Sequence, residues 1–175
     1  MDRTVVARPQ QSAGTGRAIL HEVAMALRSA ARSARLLIVS EKSILKAERF
    51  GQRYSVAAAG VPRTVEFDAL GSDYGATGYA TREQADDLGR LLELGPSSVL
   101  LDIGAGCGWP GLYLATAFGC SVISADPIVE GATAALERIG SDGIDARALA
   151  VLATGEQLPI RNGSIDAVVH VDVMC

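Results

Sequence analysis

The chain has 175 residues, enough for one domain or one domain with an extension. Apolar residues make up 49% and charged residues 21%, which excludes a disordered chain. The net charge of −4 speaks against a strongly basic nucleic-acid binder, and no apolar run reaches the roughly 18 residues of a membrane-spanning helix. Three cysteines, Cys107, Cys120 and Cys175, match no zinc spacing and read as free thiols of a reducing compartment. No metal site is expected. The cytoplasm is the default expectation, although the Arg- and Ser-rich stretch Arg3–Arg35 has the composition of a transit peptide.

In chain order, residues 1–16 read as a polar lead carrying Pro9, Gly14 and Gly16. Leu20, Val23, Ala24, Leu27, Ala31 and Ala34 recur at helical spacing and predict a helix over Arg17–Arg35, with a basic outer face. Leu36–Val39 extends that helix or forms a strand. Ser40 is placed to cap a helix from Glu41 to about Phe50. These elements form an N-terminal helical extension, residues 1–60. The glycine-rich stretch Gly51–Gly78 gives no periodic pattern. Thr81-Arg82-Glu83-Gln84 is a capping box that opens a helix through about Leu94, with Leu88, Leu91 and Leu92 as its apolar stripe and Gly95-Pro96 as its stop. Residues 61–97 are thus a lead-in segment and a capped helix.

After Pro96, strands and helices alternate. Strands are predicted at Val99–Ile103, Ser121–Ala125, Ala148–Leu152 and Ile165–Val171. Helices are predicted at Trp109–Phe118, with Pro110 in the first turn, and at Ile128–Ile139. Alternation of this kind predicts an α/β fold with a parallel sheet, over residues 98–175.

The decisive segment is Asp102-Ile103-Gly104-Ala105-Gly106-Cys107-Gly108-Trp109-Pro110-Gly111. A strand runs into a glycine turn and then a helix, so a ligand can approach the backbone and the helix N-terminus favours a negative group. Gly106–Gly111 fits the G-x-G-x-x-G dinucleotide pattern literally. Asp102 argues against a pyrophosphate there, because a carboxylate beside it is electrostatically poor; it suits a ligand bearing an ammonium group.

At these residues the chain resembles the class I S-adenosylmethionine-dependent methyltransferases, whose first motif is an acid, one residue, then G-x-G-x-G. The resemblance covers about Asp73–Cys175 and implies a Rossmann-like three-layer sandwich. It implies S-adenosyl-L-methionine as cofactor, with Asp102 toward its ammonium group, directly or through water. Gly104, Ala105, Gly106 and Gly108 would line the turn. Asp126, which ends the second strand before Pro127, would accept the ribose hydroxyls. A dinucleotide fold also places an acid there. Thr154, Gly155, Glu156 and Gln157 would meet the adenine. Thr154 stands where an Asp is usual, so that contact is weaker. Tyr79, in the lead-in Tyr74–Tyr79, would stack on or hydrogen-bond the cofactor; a packed surface tyrosine is the competing reading. Asp166 reads as structural. His170 and Asp172, at the end of the fourth predicted strand, are the candidate catalytic bases.

The resemblance implies methyl transfer to a small-molecule acceptor. Two alternatives stand beside it: a non-catalytic S-adenosylmethionine-binding or interaction module, and a nicotinamide-dependent oxidoreductase. A class I sheet has further strands, and each strand–helix–strand unit needs about 30 residues. The expectation is therefore a C-terminally truncated or split form of the fold, of about four strands. Its fourth strand would be an exposed edge open to self-association or a partner chain.

Overall fold

A computed structural model describes residues 5–7, 41–57, 60–75 and 79–171, with side chains described over 48–56, 64–75 and 79–171. The predicted helix Arg17–Arg35, the run Leu36–Val39 and the candidate base Asp172 lie outside the described residues. The elements in chain order are β1 (Val5–Ala7), α1 (Glu41–Ala57), α2 (Gly60–Leu70), α3 (Arg82–Leu91), β2 (Val99–Ile103), α4 (Gly111–Phe118), β3 (Ser121–Asp126), α5 (Val129–Ser141), β4 (Ala148–Leu152) and β5 (Ala167–His170).

The sheet runs β1-β5-β2-β3-β4. Strands β5, β2, β3 and β4 are mutually parallel, as the alternating pattern requires. Leu100, Val122, Ala148, Ala167 and Val169 face one side, where they pack with Leu112 of α4 and Ala135 and Ile139 of α5. Val99, Leu101, Ile123 and Val151 face the other side, against Leu158, Ile160 and Ile165. Burial on both faces is why these strands are continuously apolar instead of alternating. Asp166 closes β5 onto β2: its Oδ2 accepts from Val99 N at 2.8 Å and its own N–H donates to Val99 O at 2.9 Å. Among the described residues, no helix is long and apolar enough to cross a membrane.

Three expectations need correction. The fourth predicted strand, β5, is not an edge. Val5–Ala7, within the segment read as a polar lead, pairs antiparallel with it, Val6 opposite Val169. The outer rim on that side is β1, so the unpaired β5 edge offered as a self-association surface does not exist in this sheet. The helix starting at Glu41 does not stop near Phe50 but runs to Ala57 through Gly51. A Cβ on Gly51 would lie 2.7 Å from the carboxyl carbon of Glu130 on α5, the flexible end of an exposed side chain. Finally, α3 ends at Leu91, and the reversal comes at Glu93 (φ +50°), ahead of Gly95-Pro96. Its buried stripe is Ala85, Gly89 and Leu92, with Leu91 71% exposed. Gly89 lies under the Phe118 ring, so a small residue replaces the expected leucine at the closest approach to α4. The capping box forms as read: Gln84 N donates to Thr81 Oγ1 at 3.2 Å and Thr81 N donates to Gln84 Oε1 at 2.9 Å.

The stretch without a sequence pattern contains α2 and a turn organised by one carboxylate. Glu66 is buried and accepts from Ser72 Oγ, from Tyr74 N at 3.1 Å and from Gly75 N at 2.7 Å. Tyr74 is then held on α5 by Arg138, whose guanidinium lies 4.0 Å from the ring centroid while its Nε donates to Asp142 at 2.9 Å. The Tyr74 phenol donates to the same carboxylate at 3.3 Å. These contacts fix the lead-in against the sheet domain.

Candidate functional site

The site forms where β2, β3 and β4 end on the same side of the sheet. Parallel strands put all three C-termini together, and loops at such an edge are free to hold a ligand. The turn after β2 is nailed to β3 by two backbone bonds: Gly104 N and Ala105 N both donate to Ala125 O, at 2.8 and 3.2 Å. Gly106 (φ +52°) and Gly108 (φ +100°) adopt left-handed conformations that a side chain disfavours. The turn then feeds α4, whose first residue, Gly111, donates its N–H to Asp102 Oδ2 at 2.9 Å.

Asp102 is 1% exposed and lies against the start of α4. A Cβ on Gly111 would come within 2.6 Å of Asp102 Oδ2, so Gly111 is required for this approach. Burial pushes the Asp102 carboxyl up to about 7; the Gly111 N–H opposes the rise and the nearby Asp126 charge adds to it. The side chain therefore supports the turn, with a helix N-terminus as its immediate partner.

Asp126 is 4% exposed, and both its oxygens are oriented. Oδ2 accepts from Gly106 N and Oδ1 from Ile128 N, each at 2.8 Å. Burial raises its carboxyl above the usual range, and these two N–H groups hold it down. A carboxylate offers about four acceptor positions, so two oriented bonds leave room for two hydroxyl donors. Pro127 beside it is exposed. The segment after β4 joins this cluster through Ala153 N, which donates to Asp126 O at 3.0 Å. Thr154–Gln157 then make a turn, closed by Gln157 N to Thr154 O at 3.1 Å, with all four residues exposed. Gly155 approaches the end of β2: a Cβ there would sit 3.4 Å from Ile103 Cγ2.

The structure thus brings together Asp102, Gly104, Ala105, Gly106, Gly108, Asp126 and Pro127, with Thr154, Gly155, Glu156 and Gln157 adjoining. Tyr79 precedes the capped helix and is 81% exposed. His170 ends β5. Val169 lies opposite Asp102 on β2, so alternation puts His170 on the other face of the sheet from Asp102. The His170 Nδ1 atom is buried and makes no hydrogen bond.

Sequence reasoning did not find three contributors. Trp109, inside the turn, donates its indole N–H to Ala80 O at 3.1 Å and stacks its ring 5.3–5.4 Å from Tyr74 and Tyr113. It ties the turn to the lead-in. Gly131, in the first turn of α5, lets that helix approach Gly106: a Cβ would stand 3.1 Å from Gly106 O. Tyr54 of α1 packs on the turn from above. A lone tryptophan in a glycine turn was the one available signal; a helical glycine and a distant tyrosine carry none.

Residues 101–175 match the family described as methyltransferase domain. None of the curated proteins matches the chain. Among solved structures, the chain is similar to the MccD protein, with 17% identity over 46% of this chain and 36% of that one and a TM-score of 0.45. A SAM-dependent methyltransferase from Thiobacillus denitrificans in complex with S-adenosyl-L-homocysteine gives 23% identity over 42% of this chain and 29% of that one, with a TM-score of 0.39. A geranyl diphosphate methyltransferase in complex with GPP and sinefungin gives 24% identity over 57% of this chain and 40% of that one, with a TM-score of 0.46. The matched part therefore spans well under half the length of each of these three proteins.

Proposed function

Residues 101–175 carry the sequence of a methyltransferase domain, and from that premise we propose that the chain binds S-adenosyl-L-methionine and takes part in methyl transfer to a small molecule. The observation that carries the reading is the convergence of the glycine turn, the oriented Asp126 carboxylate and the Thr154–Gln157 turn at one edge of a parallel sheet. Each has a partner on such a cofactor. Gly104, Ala105, Gly106 and Gly108 would present the backbone of the turn to the cofactor. Asp126, with Pro127 closing its loop, has acceptor positions for the ribose hydroxyls. Thr154, Gly155, Glu156 and Gln157 would line the adenine side, and Tyr79, whose ring is exposed, would stack on or hydrogen-bond the cofactor.

The α4 N-terminus already donates Gly111 N to Asp102, so this part of the site would face the cofactor's ammonium end. Asp102 complements its ammonium group from behind the turn; a cation there pulls the raised Asp102 carboxyl back toward ionisation.

When bound, the cofactor would supply an electrophilic methyl group for in-line transfer to an acceptor. The protein's own work is positioning and exclusion of water. Where the acceptor carries a proton, a base must take it. His170, whose Nδ1 is buried and makes no hydrogen bond, is the candidate, and Asp172 follows two residues on. Isothermal titration of the chain with S-adenosyl-L-homocysteine and with NAD tests the reading: binding of the first supports it, and binding of NAD alone overturns it in favour of an oxidoreductase.

A further inference from the structure

Helix α1 lies upstream of the matched segment, yet it packs on the glycine turn itself. It crosses α5 where both helices carry glycine, Gly51 and Gly131. That close crossing lowers Tyr54 onto the turn. A Cβ on Gly106 would stand 3.2 Å from Tyr54 Cε1 and Oη, and one on Gly131 would stand 3.0 Å from Tyr54 Cε2. Tyr54 is 8% exposed and forms a small apolar cluster with Cys107 and Ile128, flanked by Phe50 and Ala134. Gly106 and Ile128 are the two residues whose N–H groups orient Asp126. One aromatic ring therefore packs against both of the residues that orient the carboxylate assigned to the ribose.

We infer that α1 is a cover of the cofactor turn and that Tyr54 is the side chain through which it governs cofactor affinity, as a positioning residue acting on Gly106 and Asp126. The inference rests on the cofactor assignment above. A ring packed on Gly106 restricts the turn to the conformation that presents its N–H to Asp126. Loss of the ring frees the turn and leaves the carboxylate less well oriented for hydroxyl donors. Gly51 supplies an independent handle: a leucine there displaces the exposed Glu130 carboxylate and places its own bulk between α1 and α5, away from the turn.

The test uses the full chain and S-adenosyl-L-homocysteine as probe, with calorimetric titration, thermal melting and amide hydrogen exchange. Tyr54→Ala and Gly51→Leu are expected to weaken binding about 3- to 10-fold, the usual worth of one aromatic contact. The probe is expected to slow exchange across residues 49–57. Gly51→Leu carries the test if Tyr54→Ala does not fold. A parent that binds the probe while both variants bind it equally well, with exchange at 49–57 unchanged, overturns the cover and leaves the cofactor assignment standing. A parent that does not bind the probe overturns the cofactor assignment, and the cover with it.

Discussion

Asp126 Oδ2 accepts the backbone N–H of Gly106 at 2.8 Å, across 20 residues of chain. This one bond joins the end of β3 to the turn after β2 and fixes the direction of the carboxylate. With Ile128 N on the other oxygen, the side chain is aimed before any ligand arrives. Asp126→Ala removes both bonds from a buried position. A charge-assisted hydrogen bond contributes about 1.5–3 kcal/mol, so the variant should melt lower and lose at least tenfold in S-adenosyl-L-homocysteine affinity. Calorimetry on parent and variant checks both numbers.

Gly106→Val should abolish cofactor binding. The residue sits at φ +52°, where a β-branched side chain is strained, and its Cβ would meet the Tyr54 ring at 3.2 Å. A left-handed conformation costs roughly 1–2 kcal/mol for an ordinary residue, so the fold should survive at a lowered melting temperature. Retained affinity in a folded variant would contradict the placement of the ligand against the turn.

Asp102 predicts a pH signature. Its carboxyl is raised to about 7 by burial from an ordinary value near 3.8. A folded value above the unfolded one means that the folded chain holds the extra proton between the two. Stability from this group is therefore full below about 3.8 and falls as pH rises toward 7, then levels off. Asp102→Asn should flatten that part of the stability profile in urea titrations between these limits. Cofactor affinity should move the other way, strengthening as Asp102 ionises above about 7 in the parent and losing that dependence in the variant.

The capping box offers a local test away from the site. Thr81→Ala removes the acceptor for Gln84 N and should cost about 1 kcal/mol, read as a lower denaturant midpoint with unchanged slope. Cofactor affinity should be unaffected, since Thr81 touches no part of the turn.

Much of the sheet domain was legible because its signals are local. Apolar runs of strand length, the glycine turn and Asp126 before Pro127 each declare a local role, and β4 formed over the residues its pattern marked. What stayed hidden depends on distant partners. Val5–Ala7 forms a strand only because β5 presents an open ladder to it. Gly51 opens the stretch that gave no pattern, yet it lies inside α1, and Gly89 of α3 lies under the Phe118 ring. Glu66, within the stretch that gave no pattern, is the buried hub of the 72–75 turn. At the site, Asp102 was expected to face a ligand, and its partner in the structure is Gly111 N. Spacing alone does not tell the front of a turn from its back.

The central claim is that this edge of the sheet binds S-adenosyl-L-methionine through the turn and Asp126. Titration of the full chain with S-adenosyl-L-homocysteine, beside the same titration of Asp126→Ala, tests it most directly. The account predicts saturable binding by the parent and at least a tenfold loss in the variant. Absence of binding by the folded parent, or equal binding by the two, would contradict it.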